Sequence, residues 1–507
     1  MKRKAIAAGL CLSSLLGTHA LADDRDYGEG LQPLEPSRLL DNADGRYDHW
    51  TGIGHLESLN NLRCSAVLID PRPSPDSTPS NSPAYVLSSG HCAFLQTGRV
   101  ASDLEIEGQV EFNYFKDTGN QRKVFPLKRI VWSSVQGTDL ALLELQAPLS
   151  QVIESGVQPL RLSQSSLDEL PGREILTVSG PLTPTGYTMR VAACTVDGIA
   201  NLVEQPYAWT HNLRNQCTDV LPGSSGGATL DRYTNELVGI IGTSTRGATP
   251  ASRCFAHSPC EVNAAQPTWL AETNYSTPVN GLNACFANGV FSPELAGCQL
   301  LPANVLTPAN PHYQKIYVRL KRDDEGHIIP AKWDFKFAID SSHYVFKTTR
   351  EPQRCQAPHR YSQLMPSQNA HIDAEIGSKP GIYTLCVVGV DQGQKLTPAL
   401  RNNAFIHTVE LIEQVPASEP AVSITLLGTG RHSVNFTRSL PGNDGHVFKF
   451  GPPESTRCED PQGYKHAYGN FTIGPRLLPV KLCTKAKNAA GELSAPRTDL
   501  LPMPENS

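Results

Sequence analysis

The sequence predicts an all-β protein made of several domains. Apolar or alternating runs of residues are short and bounded by turn-forming residues, which is typical of β-strands. The chain has 507 residues, of which 40 are glycine and 40 are proline, and this composition favours strands and turns over long helices. A domain-sized pattern that occurs twice in the C-terminal part indicates duplicated β-domains. The clearest strand-like runs are residues 84–89, 105–115, 140–145, 189–196 and 237–243.

The first 22 residues have the pattern of a secretory signal peptide. A basic start at residues 1–4 precedes an apolar stretch, residues 5–17, that is too short to span a bilayer. Ala20-Leu21-Ala22 has the small-residue pattern of a cleavage site. We therefore expect cleavage after Ala22, a secreted or periplasmic protein, and a leader or propeptide over residues 23–46.

Charge and cysteine content argue against several classes of function. The net charge is −5 with both signs interspersed, which speaks against nucleic-acid binding. No later run approaches the length of a membrane span. Of thirteen cysteines, Cys11 leaves with the signal peptide, and the even number that remains favours disulfides in an oxidising compartment. Because no Cys-x-x-Cys pair or His-x-x-x-His cluster occurs, we expect no metal and no cofactor.

Three short motifs carry side chains suited to nucleophilic catalysis. Residues 223–227, Gly-Ser-Ser-Gly-Gly, form a glycine-hinged loop that presents Ser225. His91 ends a strand-like run, and Asp139 precedes the apolar segment 140–143. A serine hydroxyl is a poor nucleophile at neutral pH, so it needs a base to take its proton and a carboxylate to orient that base. The order His, Asp, Ser along the chain supplies all three groups.

In these motifs the chain resembles the chymotrypsin-like (trypsin-like) serine peptidases, over about half its length. The resemblance implies a pair of antiparallel six-stranded barrels within residues 47–300, which include a cysteine-rich C-terminal extension. It implies that Ser225 attacks the substrate, that His91 moves the proton, and that Asp139 orients His91. Backbone N–H groups of Gly223 and Ser225 would form the oxyanion hole.

The resemblance also implies two disulfides, Cys64 with Cys92 and Cys194 with Cys217. Four further cysteines lie in the extension, and local pairing of Cys254 with Cys260 and of Cys285 with Cys298 is the favoured one of three connectivities.

The residue before the nucleophile departs from the trypsin pattern. The trypsin branch has an aspartate there that pairs with a newly released N-terminus, whereas this chain has Ser224. The residues 38–41 lie where an activation cleavage would fall, but without the aspartate we expect a removable or wrapping leader instead. A serine here looks more like the bacterial glutamyl-endopeptidase branch.

Substrate preference stays open between two alternatives. Asp219 lies six residues before Ser225, where a trypsin-like enzyme keeps a carboxylate for substrate Arg or Lys. Against this, Leu221 replaces an expected cysteine. Residues 240–246 would form the other wall, with Thr243 and Ser244 binding substrate backbone. If Arg246 instead faces the pocket, acidic residues would be preferred.

The C-terminal part contains two proline-rich connectors, residues 301–312 and 413–420, and a duplicated pattern. Residues 313–412 and 421–507 each have domain size, two cysteines and alternating apolar residues. We therefore expect two tandem β-sandwich-like domains. The expected bridges are Cys355 with Cys386 and Cys458 with Cys483. These domains could dock a substrate, bind a surface or matrix ligand, act as spacers, or mediate secretion.

Two functions from different classes are consistent with the sequence. The first is a secreted serine endopeptidase that acts on proteins or peptides, with cleavage after basic residues as one specificity. The second is a catalytically silent adhesion or binding protein, in which the barrel is a scaffold and the C-terminal repeats make the contacts. The intact set of His91, Asp139 and Ser225 favours the first.

Overall fold

A computed structural model of the chain describes ten stretches, which together exclude the N-terminal 24 residues, nine short internal segments and the last four residues. Strands account for 46% of the chain and helices for 8%, which confirms the all-β prediction. The predicted signal peptide and its expected cleavage site after Ala22 lie outside the described residues. The described stretches are 25–58, 63–73, 81–183, 186–263, 266–310, 317–413, 415–438, 442–467, 469–488 and 491–503.

The first unit is a closed ring of six antiparallel strands. The ring closes because Ile53–Ser58 pairs with Gly108–Phe112 on one side and with Arg63–Asp70 on the other. Two short strands flank it, Ala101–Glu105 and Leu160–Arg161. Apolar side chains of alternate residues fill the interior. In pairing order, the six strands are Ile53–Ser58, Gly108–Phe112, Lys123–Ser134, Leu140–Pro148, Pro83–Ser88 and Arg63–Asp70.

The strand-like run 105–115 is two strands rather than one. Ala101–Glu105 ends where the run was expected to begin, and Gly108–Phe112 continues in the same direction along the Lys123–Ser134 strand after a two-residue break. Gly108 has φ +150°, and a Cβ there would lie 2.5 Å from the carbonyl oxygen of Glu57. A side chain at this position would therefore collide with the neighbouring strand.

A second six-stranded ring follows the first. It closes because Glu174–Ser179 pairs with Arg190–Glu204. The Arg190–Glu204 strand extends well past the predicted run 189–196 and passes two register shifts. Its outer residues also pair with Arg38–Leu39 and Cys260–Asn263, and Gln266–Thr268 continues from the latter. In pairing order, the strands are Glu174–Ser179, Ala228–Asp231, Leu237–Ser244, Asn274–Pro278, Tyr207–Asn215 and Arg190–Glu204.

Helices are few and short in the described residues. The three α-helices are Gly90–Ala93, Leu149–Glu154 and Pro398–Asn402. The 3-10 helices are Asp48–Trp50, Gly119–Gln121, Leu167–Glu169, Pro250–Ser252, Leu282–Cys285, Pro352–Gln356 and Pro475–Leu477. Four two-stranded pairs complete the small elements: Leu182–Thr183 with Gly186–Tyr187, Phe286–Ala287 with Val290–Phe291, Lys321–Arg322 with Ile328–Ile329, and Ala331–Lys332 with Glu375–Gly377.

Further β-sheets follow the two rings, in two groups that each have their own core. The first group has a five-stranded sheet of Tyr317–Arg319, Phe405–Ile412, Gly381–Val390, His343–Thr349 and Met365–Pro366, and a three-stranded sheet of Leu306–Pro308, Phe335–Ile339 and His371–Ile372. The second group has a four-stranded sheet of Lys465–Ala467, Gly445–Gly451, Val480–Lys487 and Arg497–Leu501, and a three-stranded sheet of Val422–Leu426, His432–Phe436 and Phe471–Ile473. The domain boundaries themselves stay a prediction.

The same local contacts occur in both groups of sheets. In the first, Tyr361 donates its hydroxyl to the Cys355 carbonyl at 2.6 Å, and the Lys347 ammonium lies 4.2 Å from the Tyr361 ring centroid. In the second, Tyr464 bonds the Cys458 carbonyl at 2.8 Å, and the Lys449 ammonium lies 4.8 Å from the Tyr464 ring. Equal cysteine-to-tyrosine spacing in the sequence thus corresponds to an equal arrangement in space.

The first C-terminal group packs directly against the second ring and the Cys254–Cys260 loop. Val203, Ala208, Ile382 and Ile406 share one buried apolar cluster. The Ile406 N–H donates to Gln136 Oε1 at 3.0 Å. This group is therefore joined to the loop that leads into Asp139.

Part of the predicted linker is a strand. Leu306–Pro308 lies within residues 301–312 and pairs with Phe335–Ile339. The Leu306 N–H donates to the Gly98 carbonyl at 2.8 Å, so this stretch is held against the first ring. Proline content alone did not reveal this pairing.

Six disulfides link the twelve cysteines of the described chain. Each joins the two cysteines that the sequence analysis paired, namely Cys64–Cys92, Cys194–Cys217, Cys254–Cys260, Cys285–Cys298, Cys355–Cys386 and Cys458–Cys483. This number of disulfides fits an extracellular or periplasmic protein. No helix within the described stretches has the length and apolar character needed to cross a membrane.

Replacing Gln136 with alanine should loosen the contact between the C-terminal group and the rings. The buried Ile406 N–H would lose its acceptor, which typically costs about 1–3 kcal/mol. We expect a lower midpoint of urea unfolding and faster proteolysis between the two parts.

Gln146→Ala is the matched control, because Gln146 is exposed on the first ring and bonds only the Leu127 carbonyl. Equal unfolding midpoints for the two variants would contradict the assignment of Gln136 as a joining residue.

Candidate active site

His91 and Asp139 form a doubly bonded pair. The short helix Gly90–Ala93 follows a strand of the first ring and carries His91, while Asp139 immediately precedes the Leu140–Pro148 strand. The His91 backbone N–H donates to Asp139 Oδ1 at 2.9 Å, and His91 Nδ1 lies 2.8 Å from Asp139 Oδ2. The Asp139 side chain is 1% exposed and the His91 side chain 25%. The carboxylate thus fixes the ring orientation and favours the tautomer with a proton on Nδ1.

The pKa of His91 is raised above its ordinary value. Burial alone would lower it, but the charge of Asp139, the hydrogen bond to Asp139 and the charge of Glu204 outweigh that effect. A raised pKa means that the imidazolium is stabilised in this site, as a base that accepts a proton requires.

The loop that carries Ser225 depends on two glycines with positive φ. Gly223 has φ +95° and Gly226 has φ +85°. A Cβ at Gly226 would lie 2.0 Å from the Ser65 carbonyl oxygen, and one at Gly223 would lie 2.6 Å from the ring of Tyr187. Side chains at both positions would therefore displace their neighbours.

The Ser225 hydroxyl is bonded to the second ring and not to the imidazole. Ser225 Oγ donates to the Gly242 carbonyl at 3.3 Å. Within the described stretches, no hydrogen bond joins Ser225 to His91. The backbone N–H groups of Gly223 and Ser225 have no protein acceptor among those residues, so both remain available as donors.

Asp219 has a partner within the chain. Its Oδ2 accepts the Ser37 N–H at 2.9 Å and the Ser37 hydroxyl at 2.6 Å. The expected role as an open carboxylate for substrate Arg or Lys therefore does not match this arrangement. Burial would raise the pKa of Asp219, but the two bonds from Ser37 and the charges of Arg190 and Arg246 lower it.

The other residues expected to line the substrate pocket, Thr243, Ser244 and Arg246, differ in their hydrogen bonds to the rest of the chain. Thr243 Oγ1 is buried and makes no hydrogen bond of regular geometry with the described residues, although its hydroxyl is near enough to the Glu204 carboxyl to lower the pKa of that group. Ser244 Oγ donates to Asn274 Oδ1 at 2.8 Å. Arg246 donates to Glu272 Oε2 at 2.7 Å and to the Gln216 carbonyl at 3.1 Å, so its charge is directed to those groups.

Glu204 is a buried carboxyl that the sequence analysis missed. It is 6% exposed, at the end of the Arg190–Glu204 strand, and Oε1 accepts the His257 N–H at 2.8 Å. Oε2 has no partner among the described residues. Burial raises the pKa of Glu204 to about 7, against smaller opposing effects of the Thr243 hydroxyl, the His257 N–H and the charge of His91. The sequence held no signal for it, since a lone glutamate is ordinarily a surface residue.

An aromatic cluster borders the serine loop and was also missed. The His55 ring lies 5.1 Å from Tyr114 and 5.0 Å from Tyr187, which covers Gly223. Burial and the charge of Arg63 lower the pKa of His55 to about 4, so its ring is neutral at pH 7. The Arg122 guanidinium lies 3.9 Å from the Tyr114 ring centroid and that of Arg63 lies 5.4 Å from the Tyr187 ring, so two cations border this aromatic cluster.

Two groups of described residues have ligand atoms close enough to share a metal ion. Cys64 and Cys92 of the first group are joined in a disulfide, so neither offers a thiolate beside His91. Asp323, Glu325 and His327 form the second group and are fully exposed in a turn.

Comparisons with known proteins agree with this architecture. A family model described as the trypsin-like peptidase domain matches residues 64–240, a segment that includes His91, Asp139 and Ser225. The segment 64–240 is therefore similar to a trypsin-like peptidase domain. None of the curated proteins matches it.

Solved structures with which the chain shares limited likeness include human heparin binding protein and Deg5. The first is 14% identical with a TM-score of 0.29, over 48% of this chain and 90% of that protein. Deg5 is 16% identical with a TM-score of 0.28, over 47% of this chain and 91% of its own. Likenesses of this extent define neither an activity nor a site for this chain.

Replacing Glu204 with glutamine should change how stability depends on pH. The pKa of the Glu204 carboxyl is about 7 in the folded protein, above the ordinary value of 4.5. Between these two pH values the folded protein therefore keeps a proton that the unfolded chain has lost. The stability of the wild type therefore falls as pH rises through this window, whereas glutamine cannot ionise. Between pH 4 and pH 8 we expect the wild type to lose about 3 kcal/mol relative to Glu204→Gln.

Urea unfolding at several pH values measures this difference. Glu107→Gln removes an exposed glutamate of the first ring and serves as the control. If the free energies of unfolding of the wild type and Glu204→Gln change in parallel with pH, the pKa of Glu204 is the same in the folded and unfolded states, and the prediction is wrong.

Proposed function

We propose that this protein is a secreted serine endopeptidase that hydrolyses peptide bonds through an acyl-enzyme. The observation that carries the proposal is the pair of bonds between His91 and the buried Asp139. A carboxylate so placed has its main use in orienting an imidazole that accepts and returns a proton. A peptidase domain implies protein or peptide substrates.

The proposed reaction begins with a rotation of the Ser225 side chain. Its hydroxyl leaves the Gly242 carbonyl and turns toward Nε2 of His91, which takes the proton as Ser225 Oγ bonds the substrate carbonyl carbon. The resulting oxyanion accepts hydrogen bonds from the backbone N–H groups of Gly223 and Ser225. Apo structures of such sites often have loose catalytic hydrogen bonds that tighten only when substrate binds.

In the second half of the cycle, His91 returns a proton. It protonates the leaving amine, whose departure leaves the acyl group on Ser225. A water then gives a proton to His91 and attacks the ester, and Ser225 regains its proton as the acid product leaves. Because the neutral imidazole is the active base, the rate should rise with pH through the raised pKa of His91.

Cleavage after basic residues is not part of the proposal. Asp219, the residue that suggested it, holds Ser37 in place. The side chains of His55, Tyr114 and Tyr187 beside the serine loop pack on one another and, for the two tyrosines, against the guanidinium groups of Arg122 and Arg63, so no pocket preference is proposed from them.

Asp139→Asn should abolish most of the activity. An asparagine in this place favours the wrong tautomer of His91, and the corresponding change in serine proteases lowers kcat by about 10⁴-fold. The Ser225→Ala variant should not react with a fluorophosphonate probe, because it lacks the hydroxyl that the probe modifies. Hydrolysis of a mixed peptide library, followed by mass spectrometry, measures activity and locates the cleaved bonds.

Asp168→Asn and Ser102→Ala are matched controls, because both residues are exposed and neither is hydrogen-bonded to His91 or Asp139 among the described residues. If the wild type neither hydrolyses peptides nor reacts with the probe, the catalytically silent binding protein becomes the better account.

A further inference from the structure

Residues 25–41, here called the strap, run along the second ring. The Asp26 carboxylate binds the Arg232 guanidinium through two bonds, at 2.7 and 2.8 Å. The Leu34 N–H donates to the Ala193 carbonyl at 3.0 Å, and the Arg38–Leu39 strand pairs with the edge of Arg190–Glu204. Leu40 is completely buried. The strap is therefore built into the fold at both ends.

The middle of the strap is attached to the segment that leads into the serine loop. Asp219 Oδ2 accepts two bonds from Ser37, and Arg190 Nη1 donates to the Ser37 hydroxyl oxygen at 3.0 Å and to its carbonyl at 3.3 Å. Thr218 Oγ1 donates to the Glu35 carbonyl at 2.5 Å. Two consecutive residues of the segment thus bond the strap.

Asp219 stands four residues before Gly223, and the backbone around it has little freedom. Its φ is +57°, in the left-handed region that non-glycine residues seldom adopt and aspartate adopts more readily than most. The disulfide of Cys217 and the burial of Val220 fix the residues on either side. A turn over Leu221–Ser224 then presents the Gly223 N–H, so the position of Asp219 sets the start of that turn.

We propose that the strap is a permanent part of the catalytic unit and that Ser37, through Asp219, positions the Gly223 and Ser225 N–H groups for the oxyanion. Asp219 is on this account a positioning residue and not a specificity carboxylate. The enzyme acts with the strap in place and needs no cleavage near Arg38. This inference rests on the proposed function, because it assigns a role to N–H groups that only the peptidase reaction uses.

The negative charge of Asp219 explains how Ser37, a residue in the middle of the strap, can hold the segment that leads into the serine loop. Two donors from Ser37 and the neighbouring charge of Arg190 compensate a half-buried carboxylate. A cut between Ser37 and the Arg38–Leu39 strand would free Ser37 from the pairing that places it. Removal of the strap would leave Asp219 with only the charges of Arg190 and Arg246.

The first test compares Asp219→Ala, Asp219→Asn and Ser37→Ala in the full chain. Asp219→Ala should lower kcat by about ten- to hundredfold, because misplaced oxyanion donors lose transition-state stabilisation. The affinity for a peptidyl boronic acid should fall by the same factor. Asparagine can still accept both bonds from Ser37, so Asp219→Asn should recover much of the loss, and Ser37→Ala should lie between the two.

Asp117→Ala is the matched control. Asp117 belongs to the first ring, and its two carboxylate oxygens accept hydrogen bonds from the backbone N–H groups of Asn42 and Ala43. These two residues directly follow the strap, so Asp117 makes a contact of the same kind as Asp219 but away from the serine loop. Titration with a fluorophosphonate counts correctly folded sites, so kcat is expressed per reactive site. If Asp219→Ala and Asp117→Ala then have equal kcat values, the positioning role is refuted while the peptidase function stands.

The second test asks which molecules react. We expect the intact mass of the probe-labelled wild type to include residues 25–41. Label found only on chains cleaved between Ser37 and Asp41 would overturn the inference. If neither the wild type nor any variant reacts with the probe or hydrolyses peptides, the proposed function itself fails, an outcome distinct from the other two.

Discussion

A buried carboxylate at the junction of the two rings governs the arrangement of the candidate site. Burying an unpaired charge costs several kcal/mol or more, so Asp139 requires donors that are fixed in place. His91 supplies two of them from the first ring. The second ring contributes Thr277, whose hydroxyl bonds the Asp139 carbonyl, and Gly242, where a Cβ would lie 3.3 Å from Asp139 Oδ2. Asp139 therefore contacts both rings, through its carboxylate in the first and through its backbone carbonyl in the second, and the serine loop closes against the same junction.

The residues around this junction show what sequence alone can and cannot predict. Short motifs located His91, Asp139 and Ser225 because each combines a reactive side chain with a local backbone signal. Ser37 and Asp219 are 182 positions apart, and only the folded chain brings them together. The position of Asp219 suggested a substrate pocket, yet a short motif cannot reveal that another segment already occupies a carboxylate. Glu204 went unnoticed for the same reason, since its burial depends on the Cys254–Cys260 loop that covers it.

The parts outside the two rings contribute to the junction from opposite sides. The strap holds the segment before the serine loop through Ser37, while the first C-terminal group contacts Gln136, three residues before Asp139. The sequence left open whether the leader is removable or wraps around the fold, and it predicted two tandem β-sandwich-like domains joined by linkers. Hydrogen bonds join the strap to the second ring, and a shared apolar cluster joins the first C-terminal group to it, so both contact segments next to the loops that carry Asp139 and Ser225.

The most direct test is a crystal structure of the full chain after reaction with a peptidyl phosphonate. We expect a phosphorus atom bonded to Ser225 Oγ, with a phosphoryl oxygen that accepts the Gly223 and Ser225 N–H groups. His91 should remain bonded to Asp139, with Ser225 Oγ turned away from the Gly242 carbonyl. An unmodified Ser225 that still donates to Gly242, or an adduct whose oxygen lies away from both N–H groups, would contradict the catalytic assignment.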